Sequence, residues 1–308
     1  MSAGAKMQPL RDSSDATSDR PALAARFRRD GYLYLRGLLP ADTVAAVAAD
    51  LGAALHSVGW TDDAASLRTT HRNRAFHTPW FAGGYQTIQS VESFHRLAFE
   101  VPLWDTVSGL LDCEVFCHPA RVCRLSFPSD DPAEFFSKPH QDFVLLQVSA
   151  DVLTTWIPLC ACTDVRPGLA LIPGSHAGGY RPPDPALGGT RAIYLDAAGA
   201  AGWASADYEL GDVVVFHPLL VHGGRANRGD SIRMSADYRY QPIADPIRPE
   251  YLHPSGHPRT PDWDVLARGW SSRRWFEVPP AVRTVALPEG TDLDSYLATL
   301  TVPPSRLA

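Results

Sequence analysis

Nowhere in its 308 residues does the sequence hold the run of about 18 apolar residues that crosses a bilayer. Its first 20 residues, MSAGAKMQPLRDSSDATSDR, have no apolar centre of the kind that directs export. A soluble protein of the cytoplasm is therefore expected, with no membrane partner. Positive charge is also in short supply: 28 Lys and Arg stand against 34 Asp and Glu, a net charge of −6. That deficit removes any general attraction to nucleic acid or to anionic lipid. Cysteine is sparse, and the five present (Cys113, Cys117, Cys123, Cys160 and Cys162) are odd in number and lack the paired two-residue spacing of zinc knuckles. Reduced, half-buried thiols are the expectation. The chain has no internal repeat, and nothing in it specifies an oligomeric state.

What is present is the composition of a globular fold, 45% hydrophobic and 20% charged, with 27 Pro and 23 Gly to supply turns. Residues 1–20, rich in Ser and Asp and without apolar periodicity, are expected to form a disordered tail, leaving residues 21–308 as a single domain. PALAARFRRDGYLYLRGLLP predicts a short helix closing near Gly31, then a strand, then a turn at Pro40. Ala, Val and Leu recur at helical spacing in the following ADTVAAVAADLGAALHSVGW, with Asp42 as its expected cap. RTTHRNRAFHTPWFAGGYQ opens as a basic, aromatic loop; Arg68, Arg72 and Arg74 suit either a solvated surface or a substrate entrance. One or two helices follow it.

Beyond Glu114 the texture changes to short strands: VFCHPARVCRLSF, VLLQVSA, VLTTWIPLC, LALIPGSH, DVVVFHPLLVH and IRMSADYRYQPI. Many short strands without a βαβ rhythm predict a mainly β fold, a sandwich or barrel with helices gathered at its N-terminal side. RPEYLHPSGHPRTPDWDVLARGW is expected to wrap the body as a loop and end in a helix near Trp263 to Trp270.

The chemistry concentrates in this β region. In an extended SKPHQDF segment His140 and Asp142 share a face while Gln141 points away, giving an imidazole and a carboxylate on one side. A third ligand is available in GDVVVFHPLLVHGGRANRGDSIRMS, residues 211–235. His217 and His222 are an odd number of residues apart, so a regular strand turns them to opposite faces and only one joins the pair, unless Pro218 introduces a bulge. Periodicity does not choose between them. The loop GGRANRGD reads as the turn of a hairpin that returns Arg233 to roughly the level of His222, with Arg233, Ser235, Asp237 and Arg239 on one polar face. A guanidinium beside a metal suits a bound carboxylate, whose two oxygens its fork can grip. Two histidines and one carboxylate leave three octahedral positions open, the set associated with ferrous oxygenases, and the lack of thiolates disfavours a closed structural zinc site.

On RFRRDGYLYLRGLLP, KPHQD, TTWIPL, LALIPGSH and, most specifically, GDVVVFHPLLVHGGRANRGDSIRMS, the chain resembles the phytanoyl-CoA dioxygenase family of non-haem iron, 2-oxoglutarate-dependent oxygenases, from about residue 24 to 240. The resemblance implies a double-stranded β-helix, a jelly-roll or cupin-like core with flanking helices. It implies Fe(II) held by the catalytic set His140, Asp142 and His222, with His217 outside that set. Arg233 is then implied to pair with the distal carboxylate of 2-oxoglutarate, Trp156 to contact the same cosubstrate, and dioxygen to be the oxidant. Many relatives carry a hydroxyl two residues after the distal histidine; this chain has Gly224 there, so one cosubstrate hydrogen bond of the pattern is missing. Halogenating relatives have a small residue in place of Asp142, so a carboxylate here favours hydroxylation or a related oxidation over halogenation. Phe143 and Arg225 are the residues expected to meet a small-molecule substrate, and specialised-metabolite biosynthesis is the expected setting. The alternatives are an acyl-CoA α-hydroxylase, with Arg68, Arg72, Arg74 and Arg225 as its basic cleft, and a cupin-like binding protein that keeps the metal without turnover.

Overall fold

The computed structural model describes residues 7–74, 79–131, 135–187, 192–196, 199, 201–254 and 261–307. Order starts earlier than the sequence suggests. β1 (Gln8–Pro9) pairs in parallel with Ala204–Ser205, Leu10 and Ala16 are buried, and the Ser13 N–H donates to the Tyr34 carbonyl at 2.8 Å. The tail expected to be disordered over residues 1–20 is thus corrected for residues 7–20, while residues 1–6 lie outside the described part. The polar residues that suggested disorder are used locally: Asp12 accepts from the Ser14 N–H, and Asp15 pairs with Arg26.

α1 (Arg20–Asp30) is capped by Asp19, which accepts from the Ala22 N–H at 3.0 Å, and closes at Gly31 with φ of 76°. Only glycine adopts that left-handed backbone freely, and a Cβ there would also collide with the His176 ring. β2 (Tyr32–Leu35) follows, then α2 (Ala41–Ser57). Asp42 does not cap α2: the flanking residue is Pro40, and Asp42 sits inside the first turn, where its charge meets the positive end of the helix dipole. α3 (Pro79–Gln89), α4 (Glu92–Arg96) and α5 (Val101–Leu111) complete the helical side. Residues 75–78 of the basic loop lie outside the described part.

The strands are β3 (Val115–Cys117), β4 (Val122–Ser126) and β5 (Phe135–His140), then, past the short α6 (Phe143–Leu146), β6 (Leu153–Pro158), β7 (Leu169–Leu171), β8 (Ala204–Ser205), β9 (Val213–Phe216), β10 (His222–Arg225) and β11 (Arg233–Pro242). One sheet has the order β1-β8-β7-β10-β5, the other β2-β9-β6-β11-β3 with β4 also on β11. The fold is mainly β, a jelly-roll core of the double-stranded β-helix type. α1 packs on β2, and α5 on β3 and β11, so the helices flank the six-stranded sheet.

Two expectations about these strands are corrected. VLLQVSA is no strand: residues 143–146 turn as α6, whose Leu145 and Leu146 N–H groups both donate to the Asp142 carbonyl, and Gln147 reverses the chain at φ of 54°. A short apolar run buried on all sides has no period to tell a strand from a helical turn. β10 and β11 do not form a hairpin. β10 pairs with β5 and β7 in one sheet, whereas β11 pairs with β3, β4 and β6 in the other, so residues 226–232 cross between sheets. The five cysteines are free thiols, and four are fully buried rather than half-buried. In the C-terminal part, where residues 255–260 lie outside the described set, the expected helix is one turn, Trp263–Leu266. No helix among the described residues is long and apolar enough to cross a membrane.

Candidate metal centre

His140 ends β5 and His222 begins β10, and the two are register partners across the antiparallel pair. Their rings lie 4.2 Å apart, centroid to centroid. Asp142 reaches the same point from the turn before α6, its backbone already helical, so the convergence comes from a turn at the strand end and not from strand alternation. Gln141 does point away, donating to the Leu219 and Gly179 carbonyls. Asp142 Oδ1 stands 3.8 Å from His140 Nε2 and 3.7 Å from His222 Nε2. These three buried side chains are the one group of metal-competent ligand atoms found among the described residues, all within 4.8 Å of one another.

The surrounding bonds set each group's protonation. His140 Nδ1 lies 2.7 Å from the Lys138 carbonyl, and His222 Nδ1 lies 3.0 Å from the Leu220 carbonyl. A carbonyl only accepts, so each Nδ1 carries the proton and each Nε2 presents a lone pair. Burial holds both imidazoles below their ordinary range, and for His140 the neighbouring His222 adds to the lowering. Burial works the other way on Asp142, yet the Arg239 guanidinium, with Arg124 further off, keeps its carboxyl far below the usual range. Its Oδ2 accepts from Thr154 Oγ1 at 2.9 Å and from Arg239 Nη2 at 3.1 Å. Its Oδ1 is buried without a hydrogen-bond partner among the described residues. An ionised oxygen without a donor, facing two lone pairs, is a costly arrangement for a buried site on its own and the donor set a divalent cation requires.

A narrow cavity leads to this point between the sheets. Arg233 lines it, 2% exposed, with Nη1 donating to Ser235 Oγ at 2.8 Å. Trp156 forms another wall, 3% exposed, its ring packed on Tyr208. His217 is elsewhere: its Nδ1 accepts from the Leu219 N–H, and it packs beside His176. The structure therefore chooses His222 where periodicity could not. Gly224 also lines the cavity and offers no hydroxyl.

Neither expected substrate residue lines the cavity. Phe143 is fully buried and, as the first residue of α6, is turned away to pack on Tyr180, Ala150 and Leu219. Arg225, at the end of β10, reaches toward Asp164 at 3.4 Å. Sequence reasoning missed two residues that do shape the site, Arg124 and Thr154, and it placed Asp237 and Arg239 on the polar face of Arg233 without giving either a role. Arg124 and Asp237 line the cavity and form an ion pair through Arg124 Nε. The signal for Arg124 was its place as the one charge within an otherwise uncharged VCRLS strand. Cys160 lies with Met234 and outside the cavity lining.

A jelly roll that brings two imidazoles and one carboxylate together at a cavity walled by a buried guanidinium has the ligand set of a facial-triad metal centre. The chain belongs to the phytanoyl-CoA dioxygenase family, whose sequence profile matches residues 27–235. It is similar to the 1-deoxypentalenic acid 11-beta-hydroxylase of Streptomyces arenae, 28% identical over 251 residues, which cover 76% of this chain and 85% of that protein. It is also similar to the ectoine dioxygenase of Sphingopyxis alaskensis, 26% identical over 308 residues, covering 92% and 96%. Two solved structures share the fold. The epimerase SnoN, in complex with Fe3+, alpha ketoglutarate and nogalamycin RO, superposes at a TM-score of 0.55 with 22% identity, over 75% of this chain and 87% of its own. EctD of S. alaskensis, with 2-oxoglutarate and 5-hydroxyectoine, does so at 0.52 with 24% identity, over 93% and 96%.

Proposed function

We propose that this chain is a non-haem Fe(II), 2-oxoglutarate-dependent dioxygenase that hydroxylates an unactivated C–H bond of a small molecule, as a cytoplasmic tailoring step of specialised metabolism. The observation that carries the reading is the partnerless Asp142 Oδ1 facing two Nε2 lone pairs. His140, Asp142 and His222 hold the iron in this reading, and the bound metal with 2-oxoglutarate and dioxygen supplies the oxidising chemistry. The chain's own residues do the rest. The Lys138 and Leu220 carbonyls fix the imidazole tautomers, and Thr154 and Arg239 keep Asp142 ionised with one oxygen free. Arg233 receives the distal carboxylate of 2-oxoglutarate with its planar fork. Trp156, Leu169 and Phe216 give the cavity apolar walls that limit water near the reacting bond.

The small-molecule reading is favoured over an acyl-CoA substrate by where the arginines go. Arg68 pairs with Asp230, Arg72 with Asp130 and Arg225 with Asp164, so a basic cleft for the phosphates of CoA is largely neutralised. A relative that hydroxylates 1-deoxypentalenic acid supports a metabolite substrate. The test is succinate release from 2-oxoglutarate under air. Release that requires added Fe(II) and rises with a substrate is expected; metal and cosubstrate binding without release, across a broad panel of small molecules, would make this a binding protein instead.

A further inference from the structure

Asp142 stands at the head of a turn whose two ends are held in different ways. The near end is tied by the Phe143 N–H, which donates to the Pro218 carbonyl at 2.9 Å. At the far end Gln147 has a φ of 54°, in the left-handed region that a residue with a Cβ rarely adopts. Such a backbone persists only where its surroundings impose it. The Gln147 side chain supplies the constraint: Nε2 donates to the Val144 carbonyl at 2.7 Å, closing the turn on itself, and Oε1 accepts from Arg248 Nη2 at 2.6 Å.

Arg248 is 2% exposed, yet its guanidinium pairs with no carboxylate among the described residues. Neutral oxygens on three separate segments hold it instead. Besides Gln147, these are the Val285 carbonyl, 3.1 Å from Nη1, and the Tyr296 hydroxyl, 3.3 Å from Nη2. A buried charge without a counter-charge costs stability, so a packed apolar side chain would suit the position better if cohesion of the fold were its only task.

The C-terminal segment that Arg248 grips reaches the same turn by a second route. The Tyr180 hydroxyl donates to the Leu297 carbonyl at 3.1 Å, and the Tyr180 ring packs on Phe143. Leu300 and Val302 pack against the apolar cluster that contains Phe143. Residues 285–307 therefore brace residues 143–147 from outside. Both they and Arg248 lie beyond residue 235, where the match to the family profile ends.

We propose that Arg248 is a positioning residue for the metal centre: by holding Gln147 in its left-handed backbone it fixes the turn that aims Asp142 Oδ1 at the two Nε2 atoms, and it makes residues 285–307 part of the site. This rests on the metal reading of His140, Asp142 and His222. Released from Arg248, Gln147 relaxes toward an ordinary backbone and Asp142 loses its fixed aim, although Thr154 and Arg239 still hold Oδ2.

Co(II) serves as the probe, its affinity and visible spectrum measured in the whole protein with urea unfolding recorded beside them. Arg248→Met and Gln147→Met should each weaken Co(II) binding by about ten-fold or more and change the visible bands. The double variant should lose no more than either single one, because both remove the same link. Gln147→Glu, which keeps an acceptor for Arg248, should bind Co(II) within about three-fold of the unaltered protein. Val44→Ala, at a buried position of α2, measures the effect of lost stability alone: it should unfold more easily with Co(II) affinity and spectrum unchanged. If Arg248→Met does not fold, Gln147→Met and Gln147→Glu carry the test. A folded Arg248→Met or Gln147→Met protein with unaltered Co(II) affinity and spectrum overturns the inference. So do losses that add in full in the double variant, or a Val44→Ala protein that loses Co(II) affinity in step with its stability. Failure of the unaltered protein to bind Co(II) at all is a different result, and it sinks the metal reading itself.

Discussion

Arg239 reaches from the middle of β11 to Asp142, Nη2 to Oδ2 at 3.1 Å, with side chains only 3% and 1% exposed. The pair joins the six-stranded sheet to the turn that follows β5, and it reserves one carboxylate oxygen for bonding within the protein. Arg239→Gln should therefore weaken metal binding by about 10- to 100-fold, as losses of groups that orient a ligand do. Thr154→Val, which removes the second donor to Oδ2, should have a smaller effect in the same direction. Titration with Co(II) measures both, and an unaltered affinity in Arg239→Gln would show that the arginine does not position the carboxylate.

Truncating the triad is the sharper test. Asp142→Ala and His140→Ala should each abolish succinate formation and lower metal affinity by at least about 100-fold, since two ligands do not hold a labile divalent ion as three do. Either variant retaining turnover with unchanged iron content contradicts the ligand assignment.

In the proposed function Arg233 acts on a different ligand. Arg233→Lys keeps the charge but loses the fork, so the dissociation constant for 2-oxoglutarate should rise by about ten-fold or more. Co(II) affinity without cosubstrate should stay the same. Calorimetry of both ligands separates the two effects, and a parallel loss of metal binding would mean the site as a whole had been disturbed.

Buried histidines away from the cavity make stability pH-dependent. His118 is pushed down to about 3 by burial, against the pull of its hydrogen bond to Gln241, and His217 is pushed to about 3 by burial and then by His176. Unfolded, each takes up a proton near 6.5. Between the two values the unfolded chain binds more protons than the folded one, so their stabilising effect is complete above 6.5 and is lost as the pH falls toward 3. At about pH 5 the loss from His118 alone should be roughly 2 kcal/mol relative to neutral pH. Urea unfolding of His118→Gln should show a correspondingly flatter decline with acid; an unchanged slope would mean that this histidine is not held neutral.

Close approach of backbones at the metal end gives a further prediction. Gly223 sits between β5 and β7, and a Cβ built there would stand 2.8 Å from the Ser137 carbonyl oxygen. Gly223→Ala should force β10 from β5, with a cost of about 1–3 kcal/mol by thermal or chemical unfolding. Because His222 is its neighbour, Co(II) affinity should fall as well.

The sequence made some of this legible and concealed the rest for physical reasons. SKPHQDF and the two histidine positions are local signals, because ligand atoms at a turn or strand end are tied to residue type. The alternation of Arg233, Ser235, Asp237 and Arg239 was equally readable, since β11 is a regular strand of ten residues. Pairing between distant segments leaves no such trace: nothing in GGRANRGD says whether the chain folds back or crosses to the other sheet. Phe143 follows Asp142 directly and Arg225 lies three residues after His222, but a one-turn helix and a strand end turn them elsewhere. Residues 7–20 have little apolar periodicity because β1 is two residues long and is held by an edge, which no window of composition detects.

The crossing between β10 and β11 makes the cavity a fixed span. His222 travels with one sheet and Arg233 with the other, so in the proposed complex a diacid anchored at both ends would be a strut between the two halves of the jelly roll. Chain length would then be read as a distance: a diacid one methylene shorter or longer than 2-oxoglutarate would have to leave one anchor or pry the halves apart.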